Sequence, residues 1–431
     1  MYPQANSSTS RLAAPTIWVA GGTFVFFAAW LFPPAWYTRI YEDKNFIFGD
    51  VRSFIFCSAC ILATIAGLTV AIYRRSRPRI VATPVSPFHS APLTELLLIL
   101  TCLLLTIGSI AILSRSGAVN AFGTAISSEG QGIRGGIRQD ADDGESLGWE
   151  TLMVPVSFAM PLVYFCVRSS DMRSRNRHLF YVLVAMYILV AIITTKRNYL
   201  VRPGFGCLLI FMAWPSVKRF SFDKGILVSA SAVLTCLLMF VSLAFVRFGP
   251  DGVNSSASEI GRYLITPYNT AALIINDVLR MPGSGSGYYW TQFIWQFPVV
   301  SELLDLPTVR AEFFGDKPLH GALERGPLLK SYGITTGTAI PAFACSYIDF
   351  GWLGILPFFV SGVLCGFAWR SFLLGRLIGL CFYPVIAYSF LEWRANLLFP
   401  PSTLGFFMVV YFTLVFFRFI EVSLRRSNSV A

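Results

Sequence analysis

Charge is what this sequence has least of. Charged residues make up 13% of its 431 positions, about half the roughly 25% of a soluble domain. A chain so poor in charge cannot cover a water-facing surface, which points to a polytopic membrane protein. Histidine is scarce as well, with three residues in all. His89 precedes an apolar run, His178 sits in a basic loop, and His320 lies in "DKPLHGALERGPLLK". No HExxH, zinc-ligand spacing or catalytic-triad pattern is found. No Walker A sequence occurs, so ATP hydrolysis is not indicated and a substrate must carry the energy of any reaction. The nine cysteines fall almost entirely in apolar stretches and suggest no disulfide framework. Cys57 and Cys60 form a CxxC inside an apolar helix, where packing explains them better than redox or metal chemistry. No cleavable leader is visible: the first apolar run begins near Pro15 without a small-residue cleavage site and reads as a retained anchor.

What the chain does have is apolar length. Hydrophobic residues reach 55% and mean hydropathy is +0.62. A helix needs about 20 apolar residues to cross a bilayer. About ten runs qualify: 15–33, 53–73, 92–113, 149–167, 178–195, 199–215, 225–246, 350–369, 372–391 and 402–418. The expected fold is therefore an all-α polytopic membrane protein of about ten spans with one large periplasmic loop containing short helices. Residues 1–246 hold the first seven spans, 247–349 the loop, and 350–431 the last three spans and tail.

The stretch "IITTKRNYLVRPGFG", 192–206, tests that layout. Lys196, Arg197 and Arg202 interrupt an otherwise apolar run, and a cation at mid-bilayer costs at least ~2.5 kcal/mol. Splitting the run into two helices with a short cationic turn removes the cost. The split also places Arg74, Arg75, Arg77, Arg79, Arg168, Arg173, Arg175, Arg177, Lys218, Arg219, Lys224, Arg370, Arg376, Arg425 and Arg426 on one face, as the positive-inside rule asks. Both termini are then cytoplasmic. The net charge of +11 reads mostly as this topology signal, with no nucleic-acid partner. Lys196, Arg197 and Arg202 are left at the outer surface. They either snorkel to lipid phosphates or bind an anion presented at the outer leaflet.

The outer loops carry the remaining features. Residues 114–148 are rich in Gly, Ser and charge, and "DADD" at 140–143 reads as solvated loop, not a metal site. In the large loop Ser256 and Glu259 fit a capping box running to Arg262. Thr266-Pro267 reads as the start of a helix to about Arg280, with Ala271, Ile275, Val278 and Leu279 on one face. "MPGSGSGYYWTQFIWQFP" follows. Its GxGxG comes after a helix, so it reads as a flexible hinge and not a dinucleotide loop. The aromatic part reads as an interfacial helix with Trp290 and Trp295 at headgroup level; sugar-ring stacking is the sharper alternative.

Taken together, the spans, the Arg-bearing turn and the large late loop resemble the Wzy-type oligosaccharide repeat-unit (O-antigen) polymerases, relatives of the O-antigen ligases. Three strings carry the resemblance. "TTKRNYL" resembles the Arg-bearing turn of these families, with Asn198 where Gly is common. "GSGYYWTQFIWQFP" resembles their Gly-Tyr-aromatic-Pro segment. "GTAIPAFACSYIDFGWLGILPFFVSGVLCG", 337–366, resembles their Tyr-x-Asp-Phe-Gly-x-x-Gly string at the start of a late helix. The resemblance implies a glycosyltransferase of the bacterial inner membrane, making O-antigen, capsule or exopolysaccharide. It would transfer a growing glycan from undecaprenyl pyrophosphate to a carrier-linked repeat unit at the periplasmic face, with no cofactor and no metal. A chain-length regulator and a flippase are its implied protein partners. Arg197, with Arg202 and Lys196, would hold the pyrophosphate leaving group, and Arg262 and Arg394 would close from the other side. The base that deprotonates the acceptor hydroxyl would be one of Asp349, Glu392, Glu259 and His320. Asp349 reads equally as a cap for the helix starting "FGWLG".

Three other functions compete. An O-antigen ligase uses the same chemistry on another acceptor. A glycosyltransferase using polyprenyl-phosphate monosaccharides would use an acidic pair in the first outer loop, where Glu42-Asp43 stands. A transporter or flippase would place charge in mid-membrane, whereas here charge gathers at the outer rim.

Overall fold

The computed structural model describes residues 13–31, 43–73, 92–115, 156–166, 174–193, 197–213, 265–291, 304–306, 308–309, 312, 321–334, 340–391, 411–420 and 422–423. Among them there is no strand. The helices are α1 (Pro15–Leu31), α2 (Arg52–Tyr73), α3 (Pro92–Arg115), α4 (Val156–Cys166), α5 (Ser174–Ile193) and α6 (Arg197–Ala213). They continue with α7 (265–275), α8 (Gly321–Ser331), α9 (Ala342–Phe350), α10 (Ile355–Leu373), α11 (Leu377–Leu391) and α12 (Tyr411–Ile420). Among the described residues two stretches are long and apolar enough to cross a membrane, Arg52–Ile72 and Ala342–Leu373. The second is not one helix: a 3-10 turn at Gly351–Gly354 separates α9 from α10. The expected span at 350–369 thus starts later, and α9 lies ahead of it. The expected span at 225–246 lies outside the described residues, as do Ser256, Glu259 and Trp295.

α2 and α10 form the tightest pair. They run parallel: Phe56 meets Trp352 with ring centroids 5.6 Å apart, Thr64 and Leu68 back onto Gly362, and Ala71 meets Gly366. Arg370 closes the far end by donating to the Ala71 carbonyl at 3.4 Å. Glycine makes this approach possible. A Cβ at Gly67 would lie 2.1 Å from the Phe359 carbonyl oxygen, and one at Gly362 would lie 2.2 Å from that of Thr64. Gly362 and Gly366 form a small-xxx-small pair, the device by which helices pack closely in lipid. The outward side of α2 carries Ile55, Leu62, Ile65 and Val70, and that of α10 carries Leu356, Val360, Leu364 and Phe367. Their outer faces are thus as apolar as their inner ones.

Six hydroxyls on these helices are satisfied locally. Thr23, Thr64, Thr106, Ser109, Ser361 and Ser389 each donate to the carbonyl four residues back. This lets a polar side chain sit on an apolar helix without water.

The other helices set the two ends of the bundle. α1 and α11 run parallel, with the Tyr383 hydroxyl donating to the Ala13 carbonyl and Gly21 beside Leu391. α1 delivers Phe26 and Trp30 to Phe54 at the start of α2, at 5.7 and 5.0 Å. α6 runs against α11: Phe205 meets Tyr388 at 5.5 Å, and Gly206 lies between Pro161 and Pro384. One end therefore gathers the start of α2, the start of α6, the end of α11 and the loop residues 43–51.

α7 locks that end. Every residue from 265 to 275 is buried, Thr266, Asn269 and Thr270 included, so α7 is enclosed all round and not the one-faced helix expected. It stops at Ile275, not Arg280. Asp277 adopts φ 58, Val278 N–H reaches the Leu273 carbonyl and Asp277 N–H that of Ile274. This is a Schellman stop with Asp277 in the left-handed position, and it turns Val278 outward, where it is 48% exposed.

Candidate functional site

The string Tyr347-Ile348-Asp349-Phe350-Gly351 turns out to be a joint between three elements. Gly351, at φ 54, ends α9 in a conformation that glycine adopts readily. Gly354 approaches Ser346 so closely that a Cβ would lie 2.7 Å from its carbonyl, and the Ser346 hydroxyl donates to the Gly354 carbonyl at 2.7 Å. Asp349 does not cap the next helix: Phe350 and Gly354 hold the cap positions, without side-chain bonds. Asp349 instead points at the glycine-rich turn. Its Oδ2 accepts the Trp290 amide at 2.5 Å, and the Gly287 and Tyr289 amides face the same carboxylate without completing a hydrogen bond to Oδ1. The residue is 5% exposed. A buried carboxylate without such donors would be costly.

The turn itself is tightly bonded, not the flexible hinge expected of GxGxG. Gly283, Gly285 and Gly287 all adopt positive φ, at 73, 82 and 77. Gly285 N–H donates to the Ile348 carbonyl at 2.8 Å. The Ser284 and Ser286 hydroxyls close back on Met281 and Gly283, and the Tyr289 hydroxyl reaches the Pro282 carbonyl at 2.8 Å. Tyr288 and Tyr289 are wholly buried, which removes both from any stacking role. Trp290 is half-buried, its ring 5.8 Å from Phe358, and Phe358 stacks on Phe343 at 5.2 Å.

Around this joint lies a second, exposed cluster. Arg52 Nη1 donates to Asp277 Oδ2, and the Tyr347 hydroxyl donates to Asp277 Oδ1 at 3.2 Å. The start of α2, the stop of α7 and the face of α9 are thereby tied together. Two asparagines tie the first loop to α7. Asn269 accepts the Phe46 amide at 2.7 Å and donates to the Lys44 carbonyl at 2.8 Å. Asn276 accepts the Ser53 amide and donates to the Phe46 carbonyl.

The cationic stretch falls at the same end. α5 stops at Ile193 and α6 opens at Arg197, so two helices meet there. The backbone of Arg197 is described; its side chain lies outside the described residues. Arg202 sits one turn and a half further in, its guanidinium 5.9 Å from the centre of the Tyr388 ring. Lys196, Arg262, Arg394, Glu259, His320 and Glu392 all lie outside the described residues. Among the described residues no group of three His, Cys, Asp or Glu could hold a metal.

Sequence reasoning missed Arg52, Asn269, Asn276 and Asp277. Their one local signal was polarity on an apolar helix: Asn269 and Asn276 stand seven apart in "YNTAALIIND", two turns on one face. It also missed Arg325, whose guanidinium lies 6.0 Å from the centre of the Tyr289 ring. Comparison with protein-family models, curated proteins and solved structures finds no match to this chain.

Proposed function

We propose that the protein is a polysaccharide polymerase of the bacterial inner membrane. In this reading it moves a growing glycan from undecaprenyl pyrophosphate to a carrier-linked repeat unit at the periplasmic face. The observation that carries it is that the start of the Arg197 helix and the Asp349 joint lie toward the same end of an apolar bundle. A pyrophosphate at headgroup depth is anionic and is the leaving group. Guanidinium groups and the first amides of α6 suit it, because helix starts and Arg forks both favour phosphate oxygens. In the transfer the acceptor hydroxyl oxygen bonds to the anomeric carbon and the bond to pyrophosphate breaks. The hydroxyl proton passes to a base, with Glu392, Glu259 and His320 as the candidates besides Asp349. Charge grows on the departing pyrophosphate, where fixed cations count most.

Helix directions support the ten-span layout. α2 and α10 are parallel, α1 and α11 are parallel, and α6 opposes α11, as that layout requires. The first and the large loop share one end of the bundle, as two loops of one face must. The direct test is purified protein in nanodiscs given carrier-linked repeat units extracted from the producing cells. Lengthened glycan on the carrier, with release of pyrophosphate carrier, is expected; unchanged glycans would sink the reading.

Sidedness is tested separately. Arg280 and Arg376 are exposed, and the described cysteines are buried or half-buried, so labelling background is low. Arg280→Cys is expected to react with an impermeant thiol reagent in cells whose outer membrane alone is permeabilised. Arg376→Cys is expected to react only after inner-membrane lysis. The opposite pattern, or labelling of both from one side, overturns the layout.

A further inference from the structure

Asp349 is a buried carboxylate, and its geometry does not suit a base. A base needs a lone pair that a substrate hydroxyl can reach. Here Oδ2 is held by the Trp290 amide at 2.5 Å, Oδ1 is buried, and the residue is 5% exposed. What the carboxylate does accomplish is to gather amides of the glycine-rich turn: Trp290, 59 residues away in sequence, donates to Oδ2 at 2.5 Å, and the Gly287 and Tyr289 amides face the same group. The bond to Oδ2 fixes the backbone of Trp290 and with it the root of the indole.

Trp290 is suited to a ligand. Its ring backs onto Phe358, which stacks on Phe343, so its underside is rigid. It is partly exposed, while Tyr288 and Tyr289 beside it are buried. At Gly285, Gly287 and Gly351 of the same joint a Cβ would meet nothing within 4 Å. A flat, supported, polar-edged and partly exposed indole suits the apolar face of a pyranose ring.

We infer that Trp290 is a stacking platform for a sugar ring of the glycan substrate, and that Asp349 is a positioning residue that orients it. The inference rests on the polymerase reading for the identity of the sugar, but the latch between the two residues stands apart from it. The base is then sought among Glu392, Glu259 and His320.

The test uses full-length protein in nanodiscs and four variants: Asp349→Asn, Asp349→Ala, Trp290→Phe and Trp290→Ala. Hydrogen exchange at the Trp290 amide reads the latch. The KM and kcat for extracted carrier-linked oligosaccharides read the platform. Asn keeps an oxygen for the Trp290 amide, so Asp349→Asn is expected to keep that amide protected and to stay within tenfold of wild-type kcat/KM, whereas a lost base would cost about 10²-fold or more. Asp349→Ala is expected to expose the amide and raise KM about tenfold or more, with kcat less affected. Trp290→Ala is expected to match that KM, Trp290→Phe to recover most of it, and the double Ala variant to be no worse than either single one. If Asp349→Asn is as inactive as Asp349→Ala while its Trp290 amide stays protected, Asp349 is the base and the inference falls. A wild-type KM in Trp290→Ala overturns the platform. If wild-type protein lengthens nothing, the polymerase reading fails, and exchange at 287–291 with the same oligosaccharides decides. Ligand protection in wild type and Asp349→Asn but not in Trp290→Ala upholds the platform, and no protection in any of them overturns it.

Discussion

Gly362→Leu is expected to leave almost no folded protein in the membrane fraction, and Gly67→Leu to do the same. At both positions the obstacle is backbone: a first carbon at Gly362 would lie 2.2 Å from the Thr64 carbonyl oxygen and 2.9 Å from the Leu68 amide nitrogen, and one at Gly67 would lie 3.0 Å from the Val363 amide nitrogen. Backbone atoms cannot rotate aside, so the helices must part. Parting them strips α2 and α10 of the close contacts that hold helices together where lipid offers no hydrophobic gain. Overpacking a core costs about 1–3 kcal/mol and occasionally more, and two rigid clashes belong at the upper end. That is a large share of the 5–15 kcal/mol of stability typical of a protein. Gly366→Ala is expected to be milder because it adds a single carbon, even though that carbon meets the Ala71 Cβ at 2.5 Å. The control is Gly204→Ala, on α6 with nothing within 4 Å. It is expected to be neutral or to add up to about 1 kcal/mol of helix stability. A quantified membrane blot and a thermal melt in detergent check all four. Wild-type level and melting temperature in Gly362→Leu would mean that α2 and α10 are not packed as described.

Much of the helical plan was legible because it is local. Apolar runs of sufficient length mark α2 and α10, and three cations inside one run mark the break between α5 and α6. The Asp349-Phe350-Gly351 string was visible too, through its resemblance to a Tyr-x-Asp-Phe-Gly-x-x-Gly pattern and as a candidate cap, though its role as a joint was not. What stayed hidden is what depends on distant partners. Asn269 and Phe46 are 223 residues apart, and no periodicity reveals such a pair. The bonded turn at Gly283–Trp290 looked like a hinge because the groups that fasten it, Ile348 and Asp349, come some sixty residues later. α7 was given too long a reach because apolar spacing continues through Val278 and Leu279, while the Asn276-Asp277 pair ends the helix by turn chemistry. Asp349 stood out as an acid, but nothing in the string said that its oxygens face amides.

Arg197→Ala is expected to abolish long-chain polysaccharide while the protein still inserts at wild-type level. The reason begins with the helix start. α6 opens at Arg197, so the residue stands where free amides and the helix dipole already favour an anion. Its end of the bundle also carries Arg202 over Tyr388 and the Asp349 joint. In the proposed transfer, charge grows on the departing pyrophosphate, and a charge-assisted contact made there is worth roughly 3–4 kcal/mol, or about 10²–10³ in rate. Arg197→Lys is expected to recover little, because lysine keeps the charge but loses the planar fork that takes two phosphate oxygens at once. Lys196→Ala is expected to be milder, since Lys196 precedes the first residue of α6 and offers a point charge alone. The readout is a glycan gel beside a quantified membrane blot. Snorkelling predicts another pattern: a cation that merely meets lipid phosphates is replaceable by lysine and dispensable for chain length. Normal-length polymer from Arg197→Ala at normal protein level would assign Arg197 to the lipid and remove the cation on which the polymerase reading leans.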